Sequence, residues 1–287
     1  MVNIFVTGAT GNVGLATIDA LNTMKDVRIL AGVRNIEKGK QLFDGQNNVK
    51  PVVFDFAYPD SFKSVLKEAD ILFLLRPPQL ADVERYFRPV MEAAKNAGIK
   101  GVVFLSVQGA EKSKFIPHHK IEKSLLEYQL PYVFLRPGYF MQNLTTTLLH
   151  DIRNKNEIFL PAGRAKFNWV DVNDIAEIAA LVLTQFSRYE NRAIEITGEE
   201  QLDFFEVARI LSGELKRDIK HSNPNVISYI LQKRREGIGW NYIFVMLMLH
   251  YLPRFQKTPA LSDAYFHILG KPPGKLREFI QREKGIL

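Results

Sequence analysis

Eight residues near the start of the chain, Thr7-Gly8-Ala9-Thr10-Gly11-Asn12-Val13-Gly14, constrain its architecture more than any other stretch. They follow the β-rich run Asn3 to Thr7 and lead into Val13, Ala16, Ala20, Leu21 and Met24, which share one face of a helix. A strand that passes into a helix through three glycines must turn sharply, and it leaves the first N–H groups of the helix as donors for an anion.

The same alternation continues downstream. Val27 to Val33, Val49 to Phe54, Ile71 to Leu75, Gly101 to Ser106 and Tyr132 to Leu135 read as buried parallel strands. Helical patterns separate them, one being Val83, Phe87, Val90, Met91 and Ala94, with Gly98 as its stop. Right-handed βαβ units of this kind predict an α/β fold, a Rossmann-type doubly wound parallel sheet with its ligand crevice at the carboxyl ends of the strands. A helix at Asn173 to Thr184 and a strand at Ala193 to Thr197 are expected to return to this sheet, giving a first domain over 1–200. Residues 201–287, punctuated by Pro253, Pro259, Pro272 and Pro273, are expected to form a small, mostly helical lobe on the substrate side, joined there by part of 143–168.

Composition narrows the chemistry. Without cysteine, disulfides, thiolate metal sites and thiol nucleophiles are excluded, and no metal site is expected. The net charge of +7 fits an anionic partner, and from Glu200 onward 14 Lys and Arg face 9 Asp and Glu. No nucleic-acid-binding motif accompanies that charge, and Lys216-Arg217 and Lys233-Arg234-Arg235 read as solvated helix faces. The apolar alternation begins at Val2, which leaves no leader pattern, so a cytoplasmic chain is expected. The 13 residues from Trp240 to Leu252 are apolar apart from Asn241 and His250. A spanning helix needs roughly 18 or more, so no membrane span is expected and the run reads as a buried or pocket-lining helix, with membrane-surface or subunit contact as the alternative.

In its strand-to-helix setting, the turn formed by Gly8, Ala9, Thr10, Gly11, Asn12, Val13 and Gly14 is a dinucleotide pyrophosphate site. Roughly 20 residues beyond such a motif, NAD-binding members of the fold carry an acidic residue for the ribose 2′-hydroxyl. This chain has Arg34 instead, whose guanidinium suits a 2′-phosphate, with Lys38 as a second cation; NADP(H) is therefore favoured over NAD(H). Glu37 is the rival partner for Arg34. Asp55, with Phe56 after the third strand, suits either the adenine amino group or a turn. Leu75 and Arg76 after the fourth strand should line the crevice, and Ser106 after the fifth should face the nicotinamide or cap a turn. Pro137, Gly138, Tyr139 and Phe140 should cover the nicotinamide, with Gln108 and Asn143 on the substrate side.

The glycine turn, Arg34, Ser106 to Ala110, Pro117 to Lys123 and Leu135 to Asn143 together resemble the NmrA-like branch of atypical short-chain dehydrogenases. Trp169 to Ala176 and Leu269 to Pro273 extend the resemblance over essentially the whole chain. It implies an NAD(P)-binding domain with a small C-terminal lobe, in a family that holds NAD(P)H-dependent quinone reductases, other redox enzymes and regulators that bind the cofactor without turnover. The expected function is hydride transfer to a small quinone, enone or carbonyl substrate. A non-catalytic redox-sensing regulator is the alternative, and a homodimer is a candidate assembly. The Tyr-x-x-x-Lys pair of other short-chain enzymes occurs only as Tyr229 and Lys233, far from the expected strand end, and reads as coincidence. His119-x-x-x-Lys123 and His118-x-x-x-Glu122 stand where that pair would lie, so His118, His119 and Lys123 are the catalytic candidates, with His118 first as proton donor.

Overall fold

The computed structural model describes every residue from Met1 to Leu287. In chain order its strands are β1 (Val2–Val6), β2 (Val27–Val33), β3 (Val49–Val53), β4 (Ile71–Leu74), β5 (Gly101–Leu105), β6 (Tyr132–Pro137), β7 (Tyr139–Phe140), β8 (Glu157–Ile158), β9 (Phe167–Val170), β10 (Arg192–Ile196), β11 (Gln201–Leu202) and β12 (Lys220–His221). Its helices are α1 (Asn12–Asn22), α2 (Ile36–Leu42), α3 (Asp60–Glu68), α4 (Val83–Tyr86), α5 (Arg88–Ala97), α6 (Pro117–Glu127), α7 (Leu149–Lys155), α8 (Val172–Thr184), α9 (Phe186–Tyr189), α10 (Phe204–Leu215), α11 (Val226–Arg235), α12 (Trp240–His250), α13 (Ala264–Leu269) and α14 (Leu276–Arg282).

The chain divides into two compact units, the first comprising Met1–Pro137, Val172–Ile196 and His267–Leu269. Its seven strands form one sheet in the order β10-β6-β5-β4-β1-β2-β3, and every neighbouring pair is parallel. The fold is the expected Rossmann-type α/β architecture, with its strands within two residues of the predicted bounds. Because β1 and β4 are covered on both faces, Ile4, Phe5, Val6 and Ile71 to Leu74 are all buried. Helix α1 packs against α8. A second core holds Phe62 and Leu66 of α3, Val90 and Met91 of α5, and Ile121 and Leu125 of α6 against Phe5, Leu72 and Phe104 of the sheet. Strand order reverses between β1 and β4, so their carboxyl ends flank the switch point at which doubly wound sheets take ligands.

The second unit comprises Gly138–Asp171, Thr197–Phe266 and Gly270–Leu287. All of Gly138 to Asp171 thus groups with it, a wider stretch than the part of 143–168 read from sequence. Strand β9 pairs antiparallel with β11 and parallel with β7. Asp203 opens α10 with a reciprocal cap: its carboxylate accepts from the Glu206 N–H, and the Glu206 carboxylate accepts from the Asp203 N–H, both at 2.8 Å. Trp169, Phe204, Tyr229 and Phe279 fill the core. Helix α12 is in part the buried or pocket-lining helix expected, since Tyr242 and Met246 line a cleft of this unit. It buries Ile243, Met246 and His250, but Trp240, Phe244, Val245 and Leu249 are exposed. No helix is long and apolar enough to cross a membrane.

Candidate nucleotide and active site

At the end of β1, Gly8 adopts φ +58° and its carbonyl accepts the Gly11 N–H at 3.0 Å. Gly14 is the residue that admits no side chain: a Cβ there would lie 2.3 Å from the Gly8 oxygen and 2.9 Å from the Ala9 Cα. At Gly11, which caps α1, the nearest atom to such a Cβ would be 3.4 Å away. Helix α1 has no side-chain cap and no acidic residue in its first turn, so its first N–H groups, at Asn12, Val13 and Gly14, are left for an anion. The Thr7 hydroxyl accepts the Leu75 N–H at 2.7 Å and ties the end of β1 to that of β4 beside the turn. Sequence reasoning passed over Thr7; its signal was a buried hydroxyl directly before the first glycine. The Leu75 side chain packs against Gly8.

On the neighbouring strand β2, Arg34 is exposed at the end and makes no ion pair. Its rival partner Glu37 is taken by Lys40 at 3.0 Å. Lys38 is also exposed, and its backbone N–H bonds the Asn35 side chain that caps α2. Asp55 sits in the turn role: its Oδ1 accepts the Ala57 N–H at 2.9 Å, and its own N–H reaches Ser61 Oγ at 3.1 Å. The Phe56 ring is 5% exposed, edge-on to Phe54 and tilted on Phe87, so only its backbone could face a nucleotide.

Arg76, His118 and Lys123 are each engaged by other groups of the protein. Arg76 donates through Nη1 to the carbonyls of Pro77, Pro78 and Leu80 at 3.1, 3.1 and 2.9 Å. Its Nε–H donates to His118 Nε2 at 3.3 Å, so that nitrogen carries no proton. Burial, together with the Arg76 charge, holds His118 down to about 3, and a neutral imidazole is no proton donor of the expected kind. Lys123 lies on the solvent side of α6, 3.6 Å from Glu127 and 68% exposed at its side chain. The half-buried His119 donates through Nδ1 to the Ala110 carbonyl at 2.9 Å.

What the carboxyl ends of β5 and β6 do hold is a buried polar chain. Ser106 Oγ donates to Glu122 Oε1 at 2.6 Å, and Arg136 grips the same carboxylate through Nε at 2.9 Å and Nη2 at 2.7 Å. Glu111 pairs with Arg136 Nη1 at 3.0 Å. The hydrogen bonds that Arg136 donates to Glu122 raise the Arg136 pKa above its ordinary value. Nearby, Gln108 donates its side-chain amide to Glu195 at 2.8 Å and its backbone N–H to Pro137 at 2.9 Å. The bidentate pair was legible only as two unconnected residues, since they are 14 positions apart on different elements.

In the second unit, a Cβ on Gly138 would lie 2.3 Å from the Asn168 carbonyl, so a glycine lets β7 meet β9. Tyr139 is caged by Phe167, Trp169 and Phe204, with centroids at 5.1, 4.8 and 5.9 Å. His250 Nδ1 donates to the Met246 carbonyl, which leaves Nε2 to accept the Tyr139 hydroxyl, both at 2.8 Å. Burial pushes the Tyr139 phenol up, while Asn143 hydrogen-bonds it and acts the other way. Phe140 follows, half-buried, on β7. Tyr229 and Lys233 line one cleft of this unit, yet the Lys233 ammonium is held by Asp151 and Glu236, each at 2.9 Å. No group of three His, Asp or Glu side chains is arranged to hold a metal ion.

The bare turn at Gly8 to Gly14 fits a nicotinamide dinucleotide, and comparison with known proteins agrees with that geometry. The chain is 34% identical over 279 residues to prestalk A differentiation protein A of Dictyostelium discoideum, covering 96% of this chain and 91% of that one. It is 30% identical over 285 residues to an NAD(P)H azoreductase of Xenophilus azovorans, covering 96% of each. Its structure aligns with the Citrobacter sp. triphenylmethane reductase complexed with NADP(H) at a TM-score of 0.86 and 25% identity, over 98% of this chain and 99% of that one. The profile of the NmrA-like family matches residues 2–233, and the chain belongs to that family.

Proposed function

We propose that this chain is an NADP(H)-dependent oxidoreductase that passes hydride to a small quinone, enone or carbonyl acceptor. The observation that carries the cofactor preference is Arg34: an exposed guanidinium without an ion-pair partner, at the end of the strand next to the glycine turn. An acidic residue there would repel a 2′-phosphate. The azoreductase and triphenylmethane reductase relatives support the reaction class. In this reading the first-turn N–H groups of α1 hold the pyrophosphate, Arg34 and Lys38 hold the 2′-phosphate, and the Glu122–Arg136 pair keeps Ser106 oriented at the end of β5. The bound dihydronicotinamide supplies the hydride. His118 is not the source of the accompanying proton, because its Nε2 is already an acceptor for Arg76.

Paired calorimetric titration of NADP+ and NAD+ against wild type and Arg34→Ala tests this assignment. A charge-assisted hydrogen bond contributes roughly 1.5 to 3 kcal/mol, so the variant should bind NADP+ about ten- to a hundredfold more weakly and NAD+ almost unchanged. Equal losses for both nucleotides would overturn the phosphate role. NADPH that binds but is not consumed across a series of quinones, enones and aldehydes would overturn the enzyme and leave the regulator.

A further inference from the structure

A surface helix normally turns a polar face to water, and one that is apolar all round belongs in a core. Helix α12 does neither. Ile243, Met246 and His250 point inward, while Trp240, Tyr242, Phe244, Val245, Met248 and Leu249 are between 40% and 65% exposed, with Asn241 the only polar residue among them. Just beyond its end, Phe255 is 71% exposed. At about 1.5 Å per residue, the 11 residues of α12 measure roughly 16 Å, far short of a span, but long enough to lie along an interface.

The charges flanking this arc have one sign. Between Val226 and Thr258 there are five cations, Lys233, Arg234, Arg235, Arg254 and Lys257, and one acid, Glu236. Glu236 is already neutralised by Lys155 and Lys233, at 2.8 and 2.9 Å. Arg234 and Arg235 precede α12 while Arg254 and Lys257 follow it, all four exposed. The Arg234 guanidinium lies 5.2 Å from the Trp240 ring, so a cation and an interfacial aromatic share one edge. A second copy of this chain would bring the same positive flank against itself in a two-fold contact, which is unfavourable. An anionic lipid surface meets both features together, since acyl chains take the apolar arc and headgroup phosphates take the arginines.

We infer that α12 and its basic flanks form a docking surface for a negatively charged lipid membrane, with the helix lying in the plane of the interface. This goes beyond the proposed reaction and does not depend on it.

The test is co-sedimentation of the full chain with vesicles of phosphatidylcholine alone and with about a third phosphatidylglycerol, combined with light scattering for mass. Trp240 gives a second readout, because the other tryptophan, Trp169, is buried and should not respond. Wild type should sediment with anionic vesicles only, and its tryptophan emission should shift to the blue. Reversing two cations in Arg234→Glu/Arg235→Glu should raise the half-saturating lipid concentration at least about twentyfold, since each basic residue near such a surface contributes about fivefold. Phe244→Asp/Leu249→Asp should abolish sedimentation and the emission shift while keeping the wild-type far-ultraviolet circular dichroism and urea midpoint as evidence of an intact fold. Equal binding to neutral and anionic vesicles, or no vesicle binding, would overturn the inference. So would a wild-type dimer without vesicle binding that Phe244→Asp/Leu249→Asp dissolves, and a second copy would then be the occupant.

Discussion

At the scale of single residues, the three glycines of the turn are not equivalent. Gly14 meets backbone on two sides, whereas Gly11 has ordinary space around it. Gly14→Ala should therefore cost about 1 to 3 kcal/mol in denaturant unfolding and weaken NADP+ binding, while Gly11→Ala should stay within about 0.5 kcal/mol of wild type in stability. Equal stability losses in the two variants would contradict this ranking. His118 makes a second residue-scale case. With Nε2 bound to Arg76 and the ring held down to about 3, it does not ionise across the working range. The turnover of His118→Ala should thus follow the same pH profile as wild type between about pH 5.5 and 8, as steady-state NADPH oxidation can show.

At the scale of elements, the Ser106–Glu122–Arg136 chain locks β5, α6 and β6 together in the interior, with side-chain exposures of 13% for Arg136 and 6% for Glu122. Removing one member strands the other as a buried charge. Arg136→Met should cost about 3 to 5 kcal/mol, and Arg136→Met/Glu122→Leu should recover part of that loss in the same urea titration. How much of this was readable beforehand depends on range. Strand positions, the glycine turn and the Gly98 stop are local patterns, and the structure places each within two residues of its expected position. The Arg76–His118 contact spans 42 positions and the Tyr139–His250 contact 111, beyond the reach of any spacing rule. Helix α12 was half legible: an all-apolar stretch fits burial, pocket lining or a surface contact alike, and only the structure shows which side was left bare.

At the scale of the whole molecule, three histidines with lowered pKa set a pH response: His118, His250 and His221, the last held down chiefly by burial. Burial holds His118 down to about 3, helped by Arg76, and His250 down to about 4. Both values lie below the ordinary 6.5, so the unfolded chain takes up protons that the folded chain refuses. The stability they contribute is complete above about pH 6.5 and is lost progressively as pH falls toward 4. His250→Gln, whose amide can still accept the Tyr139 hydroxyl, should lose less stability than wild type between about pH 7 and 5, measured as the shift in urea midpoint. A larger loss in the variant would place the sensitivity elsewhere.

The chain passes between its two units five times, at 137/138, 171/172, 196/197, 266/267 and 269/270. Neither unit is therefore a continuous cassette. Cutting a gene after residue 200 and joining it to a relative's remainder would pair one parent's β9 with the other parent's β11 and divide the second unit's core between two ancestries. A chimaera that keeps each core within one parent must exchange interleaved segments. Single-crossover recombination thus cannot transplant the second unit whole.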